Sequence, residues 1–380
     1  MKRALFSAEH DDFRRVVRKF YREELVPQYS EWELAGRPPR EFWKRAADLG
    51  LLGIQVPEAY GGAGVESFLC NVILTEESQS AGIALGGLRV HTDICMPYFL
   101  RYTTAEQKAC WLPRLVSGDA VAALAMSEPG AGSDLKALST RAVRDGDHYI
   151  VNGAKTFISN GSTADLIITA VKTDPDAGRN VLSLLVTEGD MPGFERGRRL
   201  EKVGLKAQDL AELSFADVRV PVANRLGAEG VGFECLTANL AQERLSIAVN
   251  SQAAAAQAIR TTVEYVKGRA AFGTTVASFQ NTKFELAACA AEVEAGQALL
   301  DKALAAHELG ELTGADAAAV KLFCTELQGR VVDRCLQLYG GYGYMLEYPI
   351  ARAYADARVS RIYAGSSEVM KVIIARSLGL

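Results

Sequence analysis

The sequence of 380 residues lacks the signatures of two large classes of hydrolase. It contains neither the HExxH pattern of zinc proteases nor the GxSxG turn that presents a nucleophilic serine. Its four histidines are far apart, and no cluster of cysteine and histidine has the spacing of a zinc site. We therefore expect no metal centre, and neither a metal hydrolase nor a serine hydrolase.

Long apolar runs and an excess of basic charge are also missing. No run of about 18 apolar residues is present, so no segment is predicted to span a membrane. The 42 basic and 46 acidic residues give a net charge of −4 without a basic stripe, which argues against a nucleic-acid partner. Early acidic residues (Glu9, Asp11 and Asp12) argue against a signal or transit peptide. We therefore expect a cytoplasmic protein.

The sequence also lacks a cysteine framework for disulfides and a complete glycine motif for dinucleotide binding. The seven cysteines form no CxxC pair and their number is odd, so reduced and mostly buried thiols are expected rather than a disulfide framework. The glycine pair Gly230 and Gly232 and the pair Gly341 and Gly343 both lack the third glycine of the dinucleotide fingerprint. Neither pair joins a clear strand to a helix, so a Rossmann domain for a nicotinamide cofactor is not expected.

The chain divides into three regions of different periodicity. Residues 1–118 have apolar residues at helical spacing, residues 119–224 have the pattern of strands, and residues 225–380 are helical again. At about 150 residues per domain, the length suggests two or three domains. Because strands do not alternate with helices, the order predicts an α+β fold with a central β-domain.

The strand region carries one strong turn signal. Asn152-Gly153 separates two short apolar runs at 149–151 and 154–158, which predicts a hairpin with a type I′ turn. Runs rich in Val, Ile and Leu predict further strands at 166–171, 181–186 and 213–220.

Four short segments have unusual composition, although each has an ordinary structural explanation by itself. Residues 126–134 (Met-Ser-Glu-Pro-Gly-Ala-Gly-Ser-Asp) contain small residues that let backbone N–H groups approach an anion, but a surface turn explains them equally well. Residues 157–161 lie where the strand pattern ends, and residues 340–343 (Gly-Gly-Tyr-Gly) interrupt the helical pattern. The fourth segment combines Arg269, Phe272 and Gln280, which is also consistent with a solvated helix end.

Taken together and in this order, these segments resemble the acyl-CoA dehydrogenase family. The resemblance runs from residues 9–14 and 30–33 to residues 347–349 and 373–376, and so covers nearly the whole chain. It implies an N-terminal helical domain (1–118), a central β-barrel-like domain (119–224) and a C-terminal four-helix bundle (225–380). It also implies FAD as cofactor, an acyl-CoA substrate, electron-transferring flavoprotein as acceptor, and a homo-oligomer, usually a tetramer.

The resemblance assigns cofactor contacts to individual residues. Ser127, Gly132 and Ser133 match the segment that lines the flavin, and Ser133 also lies near the CoA portion of the substrate. Phe157 replaces the aromatic residue that packs on the isoalloxazine, and Ser159, which follows Ile158, replaces the residue that hydrogen-bonds near flavin N5. The other matching residues are Arg269, Phe272 and Gln280, which reach the FAD of a neighbouring subunit, Gln337, Gly340 and Gly341 around the adenine and pyrophosphate, and Ser366 and Glu368 in the final flavin-contacting stretch.

The sequence departs from the family pattern at the catalytic position. Many members carry the catalytic Glu where this chain has Ala364, so either the protein is inactive or its base lies elsewhere. Glu243 is the candidate, because Gln242-Glu243-Arg244 resembles the long-chain and isovaleryl branches, whose base lies on the earlier helix. A surface or ion-paired Glu is the alternative explanation. Gln242, Arg244, Ala364 and Gly365 are the accompanying candidates for substrate contact.

The resemblance implies α,β-dehydrogenation of an acyl-CoA to the trans-2-enoyl-CoA. Glu243 removes the α-proton, and the β-hydrogen leaves as a hydride to flavin N5. The backbone N–H of Ala364 and a flavin ribityl hydroxyl polarise the thioester carbonyl. Two other functions are compatible with this fold: a dehydrogenase of an acyl thioester on a carrier protein, and an oxygen-using flavin oxidase or monooxygenase. Residues 82–102 are candidates for lining the acyl cavity, but they do not predict the length of the acyl chain.

Overall fold

The computed structural model of the protein describes residues 3–173 and 181–380. Its first region consists of short helices together with two π-helical segments, Tyr21–Leu25 and Val90–Cys95. The helices are α1 (Ala8–Phe20), α2 (Tyr29–Ala35), α3 (Arg40–Asp48), α4 (Leu69–Ser80), α5 (Gly86–Arg89), α6 (Met96–Arg101) and α7 (Ala105–Val116).

Local sequence explains where several of these helices begin and end. Ser7 and His10 form a reciprocal capping box at the start of α1, and Thr104 and Gln107 form another at the start of α7. Helix α2 ends at Gly36, whose φ of 73° is readily adopted only by a residue without a side chain.

The second region is a mixed sheet. Its strands are β1 (Ala122–Ala125), β2 (Arg141–Asp145), β3 (His148–Ser159), β4 (Leu166–Lys172), β5 (Leu182–Glu188), β6 (Phe194–Arg199), β7 (Leu210–Pro221) and β8 (Arg225–Leu226). The order is β6-β7-β3-β2-β4-β5-β8, and β1 pairs in parallel with β4. The strands predicted at 166–171, 181–186 and 213–220 are confirmed as β4, β5 and β7.

The hairpin predicted at Asn152-Gly153 is wrong, because both residues lie inside the continuous strand β3. The register between β3 and β7 shifts at this point, and Asn152 exchanges hydrogen bonds with Asp217 on β7. A Cβ atom at Gly153 would lie 2.5 Å from the hydroxyl oxygen of Thr140, so close packing explains the glycine. The turn that joins β2 to β3 lies earlier, at Gly146, where φ is 63°.

The third region is a bundle of helices. It contains α8 (Gly232–Gly268), α9 (Gln280–Glu308), α10 (Gly314–Gln337), α11 (Pro349–Ala357) and α12 (Ser367–Ser377). A small ribbon of β9 (Ala270–Ala271) and β10 (Thr274–Thr275) separates α8 from α9. One apolar cluster joins α8, α9, α10 and α11 through Ala255, Val293, Leu327 and Ile350. The predicted α+β order of helices, strands and helices is therefore confirmed.

Helix α8 is the element that connects the three regions. Its first turns, at Cys235 and Leu236, share an apolar cluster with Tyr98 of α6 and with residues of the sheet. Its middle, at Leu245, packs in another cluster with Phe68, just before α4, and with α9 and α10. Residues 239–246 of α8 therefore lie between the N-terminal helices and the bundle.

The exact domain boundaries stay predictions. The first helices end at Val116, and β1 begins at Ala122. The two-residue strand β8 begins at Arg225 and pairs with β5, so the sheet extends just past the boundary predicted after residue 224. In the part of the chain that the structure describes, no helix has both the length and the apolar character needed to cross a membrane.

Candidate active site

Glu243 is a buried carboxyl group in the middle of α8. Its side chain is only 3% exposed, and its Oε1 accepts a hydrogen bond of 3.2 Å from the hydroxyl of Tyr98. Burial raises the pKa of Glu243 to about 7, although the hydrogen bond from Tyr98 and the charge of Arg244 act in the opposite direction. A carboxyl group with this pKa can take up and release a proton near neutral pH.

The residues on both sides of Glu243 are buried as well. Gln242 donates a hydrogen bond from Nε2 to the backbone oxygen of Asp93 at 2.9 Å. Arg244 lies inside the protein, and its Nε has no hydrogen-bond partner among the described residues. A buried donor without a partner is costly unless a ligand or water satisfies it, so Arg244 is consistent with a contact to substrate.

The turn at Ala364, where the resemblance in the sequence places the alternative position of a catalytic Glu, is strained. Ala364 has a φ of 51° and Gly365 a φ of 92°, so two successive residues adopt left-handed conformations. Lys321 of α10 is fully buried and donates from Nζ to the carbonyl oxygen of Gly365 at 2.7 Å. Burial, and secondarily the neighbouring positive charge of Arg244, lower the pKa of Lys321 to about 8. Lys321 therefore supports the turn at Ala364 and also lies close enough to Arg244, the residue after Glu243, for the two positive charges to interact.

The loop of residues 126–134 follows β1 and is anchored by a buried ion pair. Glu128 accepts hydrogen bonds from Lys155 Nζ at 2.8 Å and from the backbone N–H groups of Ser139 at 2.6 Å and Thr140 at 3.0 Å. Burial raises the pKa of Glu128, but these hydrogen bonds outweigh burial and lower it to about 2. The loop is thus held by a carboxylate that stays charged at neutral pH.

Three predicted cofactor residues lie on this anchored loop. The carbonyl of Ser127 accepts a hydrogen bond of 2.9 Å from the N–H of Thr156, which places the loop beside β3. Gly132 and Ser133 are exposed. A Cβ atom at Gly132 would meet no other atom of the chain, so its backbone faces open space rather than packed protein.

Phe157 stands on an irregularity of β3 next to this loop. The register between β3 and β7 shifts between Lys155 and Ile158, and Phe157 has a φ of 59°. Such a bulge redirects a side chain, and the ring of Phe157 is 66% exposed while Ile158 is buried in the sheet. Two residues further on, the Oγ of Ser159 accepts a hydrogen bond of 2.8 Å from Gln208 Nε2.

A second group of predicted cofactor residues lies around a cavity of about 570 Å³ at the end of α8. Arg269, Gln337, Gly340 and Gly341 all line this cavity. The guanidinium of Arg269 lies 4.9 Å from the ring centre of Tyr342, which also lines it. In the described part of the chain, no hydrogen bond, ion pair or ring contact joins this group to the loop of residues 126–134.

The remaining predicted residues are placed separately. Phe272, with a φ of 51°, is 97% exposed on the ribbon between α8 and α9, and Gln280 is exposed at the start of α9. Ser366 caps α12 through a hydrogen bond from the N–H of Val369, and Glu368 is exposed in the first turn of that helix. Helix capping alone is sufficient to explain Ser366.

The residues present fit a large cofactor that has an aromatic ring system and phosphate groups. An exposed ring at Phe157 lies beside a loop with open backbone at Gly132, and a Cβ atom at Gly340 or Gly341 would likewise meet nothing. Arg269 supplies the positive charge at the second group. The described residues contain no group of His, Cys, Asp and Glu side chains that could hold a metal ion.

Sequence reasoning missed the roles of three residues of this site. Tyr98 falls within residues 82–102, the candidates for the acyl cavity, but no local pattern marks its contact with Glu243. Lys321 contacts Gly365 of a distant segment, and no local pattern marks that contact either. Gly86 is an indirect sign of Gln208 in the sequence, because a Cβ atom at Gly86 would lie 1.8 Å from Gln208 Oε1. The glycine therefore makes room for the side chain that holds Ser159.

Comparison with known proteins identifies the class. Three family models match almost the entire chain: the N-terminal domain of acyl-CoA dehydrogenases at residues 7–119, the middle domain at 123–218 and the C-terminal domain at 230–379. The chain belongs to the acyl-CoA dehydrogenase family, as the resemblance in its sequence predicts.

Individual proteins and solved structures are similar to this chain over nearly its whole length. The mitochondrial long-chain specific acyl-CoA dehydrogenase of Sus scrofa is 44% identical over 378 residues, which are 99% of this chain and 88% of that protein. The crystal structure of an acyl-CoA dehydrogenase from Geobacillus kaustophilus is 48% identical, covers 100% of both chains and superposes with a TM-score of 0.98. A glutaryl-CoA dehydrogenase from Mycobacterium smegmatis, solved in complex with FADH2, is 28% identical with a TM-score of 0.90 over 98% of this chain and 95% of that one.

Proposed function

We propose that this protein is an FAD-dependent dehydrogenase that converts an acyl-CoA to the trans-2-enoyl-CoA, with Glu243 as the base. The observation that carries this proposal is the buried carboxyl group of Glu243, whose pKa of about 7 suits proton transfer at neutral pH. When bound, FAD would supply the oxidising power for the reaction, as the acceptor of a hydride from the β-carbon of the substrate.

The protein's own residues bind and orient the reactants. Glu243 in its carboxylate form removes the α-proton, and the backbone N–H of Ala364 donates to the thioester oxygen as negative charge develops there. Phe157 would pack against the flavin ring, and Ser159, whose hydroxyl accepts a hydrogen bond from Gln208, would hydrogen-bond to the flavin near N5. The proposal gives the same orienting role to Ser127, Gly132 and Ser133 on the anchored loop.

The second group of residues is assigned to the nucleotide part of FAD. Arg269, Gln337, Gly340 and Gly341 line one cavity, and Arg269 can neutralise a phosphate. Because Phe272 is 97% exposed and Gln280 is exposed too, we propose that Arg269, Phe272 and Gln280 serve the FAD of a neighbouring subunit in a homotetramer. Ser366 and Glu368 remain proposed flavin contacts.

The proposed electron acceptor is electron-transferring flavoprotein, and the proposed location is the cytoplasm. All seven cysteines are free, which is typical of a reducing compartment. Cell fractionation with antibodies against the protein tests the location. Reoxidation of the reduced enzyme by electron-transferring flavoprotein, compared with air, tests the acceptor.

The decisive experiment for the function is anaerobic reduction of the purified holoprotein. A panel of straight and branched acyl-CoA esters should bleach the flavin absorbance, with trans-2-enoyl-CoA as product. The same acyl chains on a carrier protein serve as the comparison, because preferential bleaching by those conjugates supports the carrier-protein alternative. Rapid reoxidation by air supports an oxidase. A folded protein that neither contains nor takes up FAD contradicts the whole proposal.

A further inference from the structure

A series of hydrogen bonds joins α8 to the segment that contains Val90–Cys95 and α6. Asn239 Oδ1 accepts from Arg101 at 2.9 Å, and Gln242 donates to the backbone oxygen of Asp93. Ser246 donates from Oγ to Asp93 Oδ2 at 2.5 Å. These bonds lie on both sides of Glu243 along α8, so the segment that carries Tyr98 is fixed against the helix that carries Glu243.

Asp93 is the buried centre of this attachment. Its carboxyl group also accepts hydrogen bonds of 2.8 Å from Asn71 Nδ2 and from the hydroxyl of Thr92. Its side chain is buried, and burial raises its pKa despite the hydrogen bonds that it accepts. A buried acceptor with several donors defines one geometry rather than a set of alternatives.

Within this fixed frame, the hydroxyl of Tyr98 donates to Oε1 of Glu243. Oε2 of the same carboxyl group has no hydrogen-bond donor among the described residues. The two oxygens are therefore different, since one is occupied by a protein donor and the other is available to a ligand. Tyr98 itself is fully buried, so water does not compete for its hydroxyl.

We propose that Tyr98 is a positioning residue that holds Oε1 of Glu243 and leaves Oε2 free to take the α-proton of the substrate. This inference rests on the proposed function, in which Glu243 is the base. Tyr98 acts through Glu243 and does not touch the reacting atoms.

The hydrogen bond also controls when Glu243 is charged. A hydroxyl that donates to a carboxylate favours the charged form and lowers the pKa of the carboxyl group. The other groups that face Glu243 are Arg244, whose charge acts in the same direction, and the Cys95 thiol, whose pKa burial raises well above its usual value. Cys95 is therefore neutral at ordinary pH, and Tyr98 is the neutral donor that tunes the base.

The test compares Tyr98→Phe with a matched control, Tyr149→Phe. Tyr149 of β3 is also fully buried, and its hydroxyl donates to a carboxylate, Oε2 of Glu229, at 2.7 Å, but it makes no hydrogen bond to Glu243. Flavin reduction by a good acyl-CoA is followed by anaerobic stopped-flow from pH 5.5 to pH 9. Because the base must be deprotonated, the rate rises with pH through the pKa of Glu243.

In Tyr98→Phe the midpoint of this rise should move up by roughly one pH unit, and the plateau at high pH should fall about tenfold because the carboxylate is less well oriented. Tyr149→Phe should keep the wild-type midpoint. A Tyr98→Phe profile that coincides with the wild type overturns the inference. A merely structural role lowers the amount of folded holoenzyme and leaves the midpoint unchanged, which also contradicts it.

A second variant covers the case in which Tyr98→Phe does not fold. Replacement of Tyr98 by 3-fluorotyrosine keeps the ring and makes the hydroxyl a stronger donor, so the midpoint should move down by a few tenths of a pH unit. An unchanged midpoint in this variant overturns the inference. Glu243→Gln in the same assay separates the two claims: if it reduces flavin at the wild-type rate, the base assignment itself fails, whereas its inactivity combined with unshifted Tyr98 variants rejects only the role of Tyr98.

Discussion

The ammonium group of Lys321 lies 2.7 Å from the carbonyl oxygen of Gly365, and this contact spans the bundle from α10 to the turn before α12. The turn needs such support because Ala364, which has a Cβ atom, adopts a φ of 51°. A non-glycine residue in the left-handed region costs on the order of 1 kcal/mol or more, so the surrounding structure must hold it in place. The hydrogen bond from Lys321 supports this turn, in which the backbone N–H of Ala364 is proposed to polarise the thioester carbonyl.

Replacement of Lys321 by Met should weaken this turn. The side chain keeps a similar length but loses its donor, which leaves the Gly365 carbonyl without its partner at a cost of about 1–3 kcal/mol. We expect a melting temperature that is lower by a few degrees and slower flavin reduction, while FAD remains bound. Lys302→Met is the control, since Lys302 is exposed on α9. Equal reduction rates in both variants would show that the turn does not depend on Lys321.

Arg269→Ala should weaken retention of FAD. The guanidinium group lines the cavity with Gln337, Gly340 and Gly341, and its loss removes a charge-assisted contact to phosphate. FAD content after gel filtration, and the Kd for added FAD, measure the effect. Lys267→Ala removes an exposed positive charge from the last turn of α8 and should have little effect. Size-exclusion chromatography of the wild type should show an oligomer, and a fully active monomer that retains FAD contradicts the assignment of Arg269 to a neighbouring subunit.

Glu243→Gln should change how stability depends on pH. Burial raises the pKa of Glu243 from 4.5 to about 7 in the folded protein, so between these values the unfolded chain has lost the proton that the folded protein still holds. Wild-type stability therefore falls as pH rises through this window, by up to about 3 kcal/mol, and the Gln variant lacks this loss. Denaturation of both proteins from pH 4.5 to pH 8.5 should show the variant gaining relative stability with increasing pH. A difference that stays constant contradicts the raised pKa.

Local sequence patterns are sufficient to predict the order of helices, strands and helices, because apolar periodicity depends on neighbouring residues. The same kind of local signal misleads at Asn152-Gly153. There the glycine is required by the close approach of Thr140 from a different part of the chain, and the turn lies instead at Gly146. Turn preferences alone cannot separate a hairpin from a bulge inside one long strand.

Most contacts in the candidate site cannot be predicted from local sequence patterns. The sequence singles out Glu243 for two reasons: the resemblance to a family, and Ala364 at the other position where that resemblance places a catalytic Glu. The role of Glu243 as the base stays a prediction. Its contact with Tyr98 joins residues 145 positions apart, and the support of Ser159 by Gln208 joins residues 49 positions apart. Such contacts depend on how α6 packs against α8, or how the end of β3 packs against the loop before β7, and local periodicity in the sequence does not reveal them.

Relocating the base tests whether Glu243 and Ala364 face the same substrate atom. We expect Glu243→Gln with Ala364→Glu to recover part of the activity that Glu243→Gln loses. Recovery should be incomplete, because a base that is about 1 Å out of place can lose roughly 10²-fold in rate. The added side chain also occupies space near the acyl chain, so the preferred chain length should change. The panel of acyl-CoA esters measures both effects, and absence of recovery counts only against the shared geometry.

The most direct test of the proposed mechanism is the rate at which an acyl-CoA reduces the bound flavin of Glu243→Gln in an anaerobic stopped-flow experiment. Gln keeps the size of the side chain and removes the carboxylate, and loss of a general base costs on the order of 10²–10⁴-fold in rate. The variant should therefore hold FAD and fold like the wild type while its flavin reduction falls by about that factor. Reduction at the wild-type rate in a folded, FAD-loaded Glu243→Gln protein would contradict the account and remove Glu243 as the base.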